Sequence, residues 1–292
     1  MPETRELSGP PGLTGLYVRA VAASALVPVR DHVPGLGRDE LPHTELVVED
    51  FVPEAKHLHA YERVCGFRLR DVLPATYVHQ LTFPLALRIM TDSAFPFAAM
   101  GLVHLTNEVT QRRPVELGEA LTLRVSAANL AEHARGRTFD VVASADVDGE
   151  TPWRSTSTYL HREGGGGGAG RDREDDAPPP PPQALWDVPG DIGRRYAAVT
   201  GDRNPIHLHP LTARAFGMSR PIAHGMWLKA RCLAALESVL PAAYTAKVRF
   251  KAPLALPSRV AFRSEPADGG RDFSVRAAGS GKPHLEGTLR PL

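Results

Sequence analysis

Several features that often reveal a protein's class are scarce or missing in this sequence. Its only two cysteines, Cys65 and Cys232, lie far apart in apolar surroundings, so neither a disulfide framework nor a zinc-binding spacing is present. The formal net charge of +1 gives no reason to expect nucleic acid or an anionic membrane as a partner. No apolar run reaches the ~18 residues of a membrane span. The first residues, MPETRELSGPPG, lack the apolar core of a secretory signal, so a cytoplasmic protein is predicted.

A low-complexity stretch divides the remaining sequence. Residues 163–183 contain a run of glycines, then mixed charges, then a run of prolines. Such a composition cannot bury apolar surface and is typical of a linker with a flexible and a stiff part. The sequence therefore predicts an N-terminal unit of residues 1–162, a linker of residues 163–183 and a C-terminal unit of residues 184–292.

The two units share a pattern. VTQRRPVELGEALTLRV, which begins at Val109, aligns at a constant offset with VRFKAPLALPSRVAFRS, which begins at Val248. Alternating strand patterns follow in both units. A long apolar segment precedes each, at residues 75–90 and 224–240, and the first is expected to kink or break at Pro84. The pattern predicts an α+β fold in which each unit wraps a curved antiparallel sheet around one buried helix.

The segment TGDRNPIHLH, residues 200–209, carries the strongest chemical signal. Asp202 and His207 flank a bend that Pro205 and several turn-forming residues keep out of regular structure. The segment lies between two short predicted helices, shortly before the buried helix begins near His224 or Gly225. An Asp–His pair can hold a water and exchange protons, and a free helix N–H can stabilise a carbonyl oxygen that gains charge. This combination indicates hydration or dehydration beside a thioester carbonyl.

A longer stretch around this segment resembles a known family. The run YAAVTGDRNPIHLHPLTARAFGMSRPIAHGM is similar, over about thirty consecutive residues without a gap, to the signature of the MaoC-like (R)-specific enoyl-CoA hydratases, also called hydratase 2. In the first unit, LPATYVHQLTFPL and FPFAAMGLVHLTNEVTQRRPV resemble the first half of the double hotdog dehydratases of this group.

This resemblance implies a double hotdog fold and the reversible hydration of trans-2-enoyl thioesters to (R)-3-hydroxyacyl thioesters in fatty-acid metabolism. It assigns the catalytic dyad to Asp202 and His207 and the oxyanion site to the Gly225 N–H. Asn204 and His224 match motif positions and are expected to hold the segment or contact the substrate. It implies no metal and no cofactor, since CoA or the pantetheine of an acyl carrier protein belongs to the substrate.

The first unit lacks the dyad. No D-x-N-P-x-H motif occurs there, and the constant offset places Arg63 and Arg68 at the positions of Asp202 and His207. We therefore predict one active site per chain, with the first unit as a scaffold that can also provide an acyl-chain pocket. Because two units already supply a pair of hotdogs, the sequence leaves monomer and homodimer equally open.

Two other functions within the same fold remain open from the sequence. One is a catalytically silent hotdog that binds acyl thioesters or supports a partner subunit. The other is a thioesterase, which needs a carboxylate on the buried helix, where only Glu237 is present, far from the N-terminus. Two cations on that helix, Lys229 and Arg231, are expected at its exposed edge, with a phosphate of the carrier as the alternative partner.

Overall fold

Antiparallel strands with alternating burial form most of the structure, a computed structural model that describes residues 3–30, 40–163 and 181–292. In the strand Gly136–Val147, for example, every second residue from Phe139 onward is buried, as expected for a sheet with one face on a core. Most of the predicted linker lies outside the described residues.

The elements follow one another in a similar order in the two halves. The first half contains β1 (Glu3–Leu7), α1 (Leu13–Arg30), β2 (Thr44–Phe51), α2 (Ala55–Cys65), α3 (Ala75–Met90), β3 (Val103–Gln111), β4 (Leu121–His133), β5 (Gly136–Val147) and β6 (Glu150–Arg162). The second half contains β7 (Ala184–Val188), α4 (Ile192–Thr200), α5 (Pro210–Ala215), α6 (Gly225–Ala235), β8 (Tyr244–Phe250), β9 (Ser258–Ala267), β10 (Gly270–Ala277) and β11 (Pro283–Pro291).

All of these strands join one sheet in the order β1-β2-β4-β5-β6-β3-β8-β11-β10-β9-β7. The two halves meet at the antiparallel pair β3 and β8, in which Asn107 lies opposite Val248 and Val109 lies opposite Ala246. The seam between the halves is therefore a continuous hydrogen-bonded ladder, and side chains near it can reach groups of both halves.

The long helix of the first half, α3, packs against strands β2 to β6. The helix does not break at Pro84 but runs through it from Ala75 to Met90. Proline removes one backbone hydrogen bond, but most helix stability in proteins comes from packing. Most α3 side chains are buried, and this packing keeps the helix continuous.

The long helix of the second half is shorter than the apolar pattern suggested. It begins at Gly225, as predicted, but α6 ends at Ala235 and a separate 3-10 turn follows at Glu237–Val239. Like α3, it begins directly after a residue in extended conformation, which is His224 here. Among the described residues, no helix combines the length and hydropathy needed to cross a membrane.

The constant offset between the halves holds for the central strands but not for the helices. In the first half, residues 66–74 connect α2 to α3, whereas in the second half residues 201–224 connect α4 to α6. The second half therefore has a longer connection at this place. The first half has no counterpart of this length, which explains why a fixed offset placed unrelated arginines at the positions of the predicted dyad.

Candidate active site

The connection between α4 and α6 is shaped by local capping. Helix α4 ends at Gly201, whose positive φ of 72° suits glycine. The Asn204 side chain accepts a hydrogen bond from the Ile206 N–H and so caps a 3-10 turn over Pro205–His207. The sequence suggested that His207 lies outside regular structure. In the structure it lies on this short 3-10 turn. Asn204 is placed to hold the segment.

Three titratable side chains meet here. The ligand-type atoms of Asp202, His207 and His224 all lie within 4.8 Å of one another. The two imidazole rings stack with centroids 3.6 Å apart, and both histidines are buried, whereas the Asp202 side chain is 23% exposed. Two acceptors less than 4.8 Å apart can share one water molecule. Asp202, His207 and His224 can therefore act together as one acid–base cluster.

Backbone carbonyls fix the protonation of both rings. His207 Nδ1 donates to the Ile222 carbonyl at 2.7 Å, and His224 Nε2 donates to the Asp202 carbonyl at 3.0 Å. Burial, together with the neighbouring His224, lowers the pKa of His207 to about 3, so its ring is neutral at neutral pH. The neutral His207 ring consequently keeps a lone pair on Nε2, which can accept a proton.

The Asp202 carboxyl stays ionised. Burial acts to raise its pKa, but the two histidines and hydrogen bonds from Tyr17 and Asn204 outweigh this effect and hold the pKa below its ordinary value. The Tyr17 hydroxyl donates to Asp202 Oδ1 at 2.5 Å, and the Asn204 N–H donates to the same oxygen at 3.3 Å. The other oxygen, Oδ2, lies 3.8 Å from His224 Nε2.

The same cluster has the residue types and spacing of a metal site. Each ring uses one nitrogen on a backbone carbonyl, His207 Nδ1 on Ile222 and His224 Nε2 on Asp202, and keeps the other nitrogen available. These fixed tautomers serve proton transfer, in which one nitrogen must accept a proton.

The first residue of α6 is Gly225, directly after His224. Helix N-termini carry free N–H groups and a partial positive charge. A Cβ atom at Gly225 would lie 2.9 Å from Cε1 of Phe250, so only glycine fits without movement of that ring. The backbone N–H at this position is thus placed beside the acid–base cluster and unobstructed by a side chain of its own.

Side chains of the first half hold this site in place. Tyr17 on α1 contacts Asp202, as described above. Gln80 on α3 donates to the Thr200 carbonyl at 3.0 Å, and His57 on α2 donates to the Val199 carbonyl at 2.8 Å. The last turn of α4 is therefore fixed by two side chains of the other half. None of these three residues belongs to the motif, and no local pattern in the sequence indicates their role.

The expectation that Lys229 lies at an exposed helix edge is wrong. This side chain is wholly buried, with 0% exposure. Arg231 is partly buried, and its guanidinium group lies 4.5 Å from the ring centroid of Trp186. The expectation therefore fails for Lys229, whereas Arg231 keeps part of its surface exposed.

Comparisons with known proteins identify the family. Residues 187–284 match the family model described as a MaoC-like domain. The chain is 38% identical over 289 residues, which cover 98% of this chain and all of the relative, to 3-hydroxyacyl-thioester dehydratase X of Mycobacterium tuberculosis. The crystal structure of HtdX from the same organism aligns with a TM-score of 0.77 and 38% identity, over 85% of this chain and 100% of that one.

A more distant structure supports the architecture. A conserved protein of Mycobacterium tuberculosis described as having a double hotdog fold aligns with a TM-score of 0.51 at 12% identity, over 82% of this chain and 92% of that one. The predicted α+β double hotdog is confirmed. Given a relative 38% identical over almost the whole length, the chain belongs to the MaoC-like dehydratase family and is an enzyme of the hydro-lyase class.

Proposed function

We propose that this enzyme adds water reversibly to trans-2-enoyl thioesters and forms (R)-3-hydroxyacyl thioesters. The observation that carries the proposal is that Asp202 and His207 meet His224, the residue directly before the N-terminus of α6 at Gly225. The relative named a 3-hydroxyacyl-thioester dehydratase acts on the same class of compound in the reverse direction. The substrate is a thioester of CoA or of an acyl carrier protein.

Each group has a distinct part in the proposed reaction. The thioester oxygen accepts a hydrogen bond from the Gly225 N–H, which stabilises the enolate that forms when water attacks the β-carbon. Asp202 Oδ2 and His207 Nε2 hold the attacking water between them and take up its proton. The α-carbon then receives a proton relayed through the same pair. Water adds across the double bond, and no other reactant is consumed.

The positions of the other charged groups argue against thioester hydrolysis. Glu237, the carboxylate considered for that reaction, lies in the 3-10 turn after α6. Its Oε2 accepts a hydrogen bond from the Arg68 N–H at 3.1 Å, and its Oε1 lies 3.6 Å from the Arg70 guanidinium. This carboxylate is engaged at the far end of the helix from Gly225 and cannot attack a thioester held there.

Tyr17→Phe is expected to lower kcat by about 10-fold and to move the acidic limb of the pH–rate profile to higher pH. The phenol donates one hydrogen bond to the Asp202 carboxylate, and such a bond to a charged group contributes about 1.5 kcal/mol. Because this bond helps to lower the Asp202 pKa, its loss raises that pKa, and activity then disappears at a higher pH as the medium is acidified. The profile of kcat/KM, extended below pH 4 to reach the wild-type acidic limb, measures the shift.

Tyr244→Phe is the matched control, because Tyr244 is also buried and only burial shifts its pKa. It should leave the acidic limb unchanged. An acidic limb that stays in place in Tyr17→Phe would contradict the role given to this phenol.

The first half is expected to accept long acyl chains. It does not contain the catalytic segment, and its side chains approach the site from α1, α2 and α3. We expect kcat/KM to be maintained or to rise from four-carbon to longer enoyl thioesters. Measuring hydration across chain lengths tests this, and a sharp preference for four carbons with no activity on longer substrates would refute it.

A further inference from the structure

A buried lysine lies one helical turn behind the proposed oxyanion site. Lys229 follows Gly225 by four residues on α6, so the two share one face of the helix. The two residues are therefore separated by one turn, about 6 Å along the helix axis. The side chain is wholly buried, and lysine is almost never fully buried without a partner.

The partners of this ammonium are neutral and come from both halves. Its Nζ donates to the Asn107 side-chain oxygen at 2.5 Å, the Asn107 carbonyl at 3.2 Å and the Ala246 carbonyl at 2.8 Å. Asn107 is on β3 and Ala246 on β8, the two strands that form the seam. Ser155 and Ser157 on β6 each accept a hydrogen bond of 3.0 Å from the Asn107 amide, which fixes its orientation.

No carboxylate of the described residues contacts this cation. Among the ion pairs of the described residues, none includes Lys229, and all of its three donors are used by amide oxygens. The ammonium therefore makes its full set of hydrogen bonds, but its positive charge has no negatively charged group of the described residues in contact with it. An uncompensated buried charge is costly to keep, and it acts over a longer distance than it would in water.

We infer that Lys229 is a positioning residue for the reaction: it fixes the N-terminus of α6 against the seam and places a positive charge behind the Gly225 N–H, where the thioester oxygen becomes negative. This inference rests on the proposed function. The four-residue rise from Gly225 to Lys229 is about 6 Å along the helix axis. In general, at an effective dielectric constant of about 20, a unit charge about 8 Å from an oxyanion changes a rate by about 30-fold.

The ionisable groups around Lys229 make this charge testable by pH. His79 on α3 and His104 on β3 face it, and burial lowers the pKa of each to about 3, so both are neutral above pH 5. Burial likewise lowers the pKa of Lys229 to about 7, against a small opposing influence of Glu108 on β3. Since the charge exists only below this pKa, kcat should fall as the pH rises through about 7.

The test compares Lys229→Met with Arg231→Met. The second variant removes another cation of the same helix, whose guanidinium lies over the Trp186 ring. Lys229→Met is expected to lower kcat about 10- to 30-fold, to change KM less than twofold and to abolish the alkaline limb. Arg231→Met should keep the wild-type kcat and alkaline limb. Circular dichroism and thermal unfolding confirm that each variant is folded.

Asn107→Asp provides a second variant that keeps the lysine and its hydrogen bond. The new carboxylate would neutralise the ammonium, so we expect kcat to fall about 10-fold and the alkaline limb to move to higher pH. It also serves as the deciding variant if Lys229→Met does not fold. A folded Asn107→Asp or Lys229→Met enzyme with wild-type kcat and an unchanged alkaline limb would overturn the inference.

The proposed function and this inference can fail separately. If the wild-type enzyme hydrates no enoyl thioester, the proposed function is wrong and the inference falls with it. If the wild-type enzyme is active and loses its activity on substitution of Asp202, but keeps its kcat and pH profile on substitution of Lys229 or Asn107, only the role of the buried lysine is refuted.

Discussion

Asp202→Asn and His207→Ala are each expected to lower kcat for crotonyl-CoA hydration by 10²- to 10⁴-fold, the usual effect of losing a general acid or base. The amide of the asparagine cannot take a proton, and alanine removes the lone pair that His207 Nε2 offers to the water. Because the two groups act on the same water, the double variant should be little slower than either single variant. Initial rates at saturating substrate measure all three.

Substitutions of two nearby titratable residues serve as controls. Asp191 precedes α4 and makes no side-chain cap, so Asp191→Asn should retain activity. His209 is exposed and accepts a hydrogen bond from the Leu211 N–H, so His209→Ala should cost less than threefold in kcat. If Asp202→Asn and His207→Ala were folded and kept rates within threefold of the wild type, the acid–base assignment would be refuted.

Gly193→Ala is expected to lower kcat by about 10²-fold without contacting the substrate. A Cβ atom at Gly193 on α4 would lie 2.2 Å from the carbonyl oxygen of His207, which is a backbone atom and cannot turn aside. The 3-10 turn that carries His207 must therefore move. A displacement of about 1 Å of a catalytic group can cost a factor of this size.

Gly190→Ala is the matched control for this substitution. A Cβ atom there would lie 3.6 Å from Cδ of Pro257, an ordinary contact. We expect it to keep the wild-type kcat and thermal stability. A folded Gly193→Ala enzyme with unchanged kcat would show that the position of His207 is not critical.

The meeting of Asp202 and His207 could be predicted because the information for it is local. The bend at Pro205, the glycine that ends α4 and the start of α6 at Gly225 are all encoded within thirty consecutive residues. In such a short stretch, backbone preferences and spacing determine which side chains meet. His224 was expected as a supporting residue, and the structure brings it into ring contact with His207.

The support from the first half could not be predicted, because it depends on contacts between residues far apart in the chain. Tyr17 lies 185 positions before Asp202, and Gln80 lies 120 before Thr200. No periodicity or motif connects such pairs. They meet only because β3 and β8 join the halves into one sheet.

Two local preferences are overridden for related reasons. A lysine on an apolar helix is normally at the edge of the buried face, yet Lys229 is buried because amide oxygens at the seam accept all of its hydrogen bonds. A proline normally ends a helix, yet packing keeps α3 continuous through Pro84. In both cases tertiary contacts override a preference that is correct for an isolated segment.

The most direct test of the account is the reaction of the purified full-length enzyme with crotonyl-CoA. Hydration is followed as loss of enoyl-thioester absorbance, and the product is offered to dehydrogenases specific for the (R) or the (S) 3-hydroxyacyl thioester. We predict a saturable loss of absorbance in the wild type, oxidation of the product by the (R)-specific enzyme alone, and loss of both signals in Asp202→Asn. An (S) product, or no reaction of the folded enzyme with CoA and carrier-protein esters of any chain length, would contradict it.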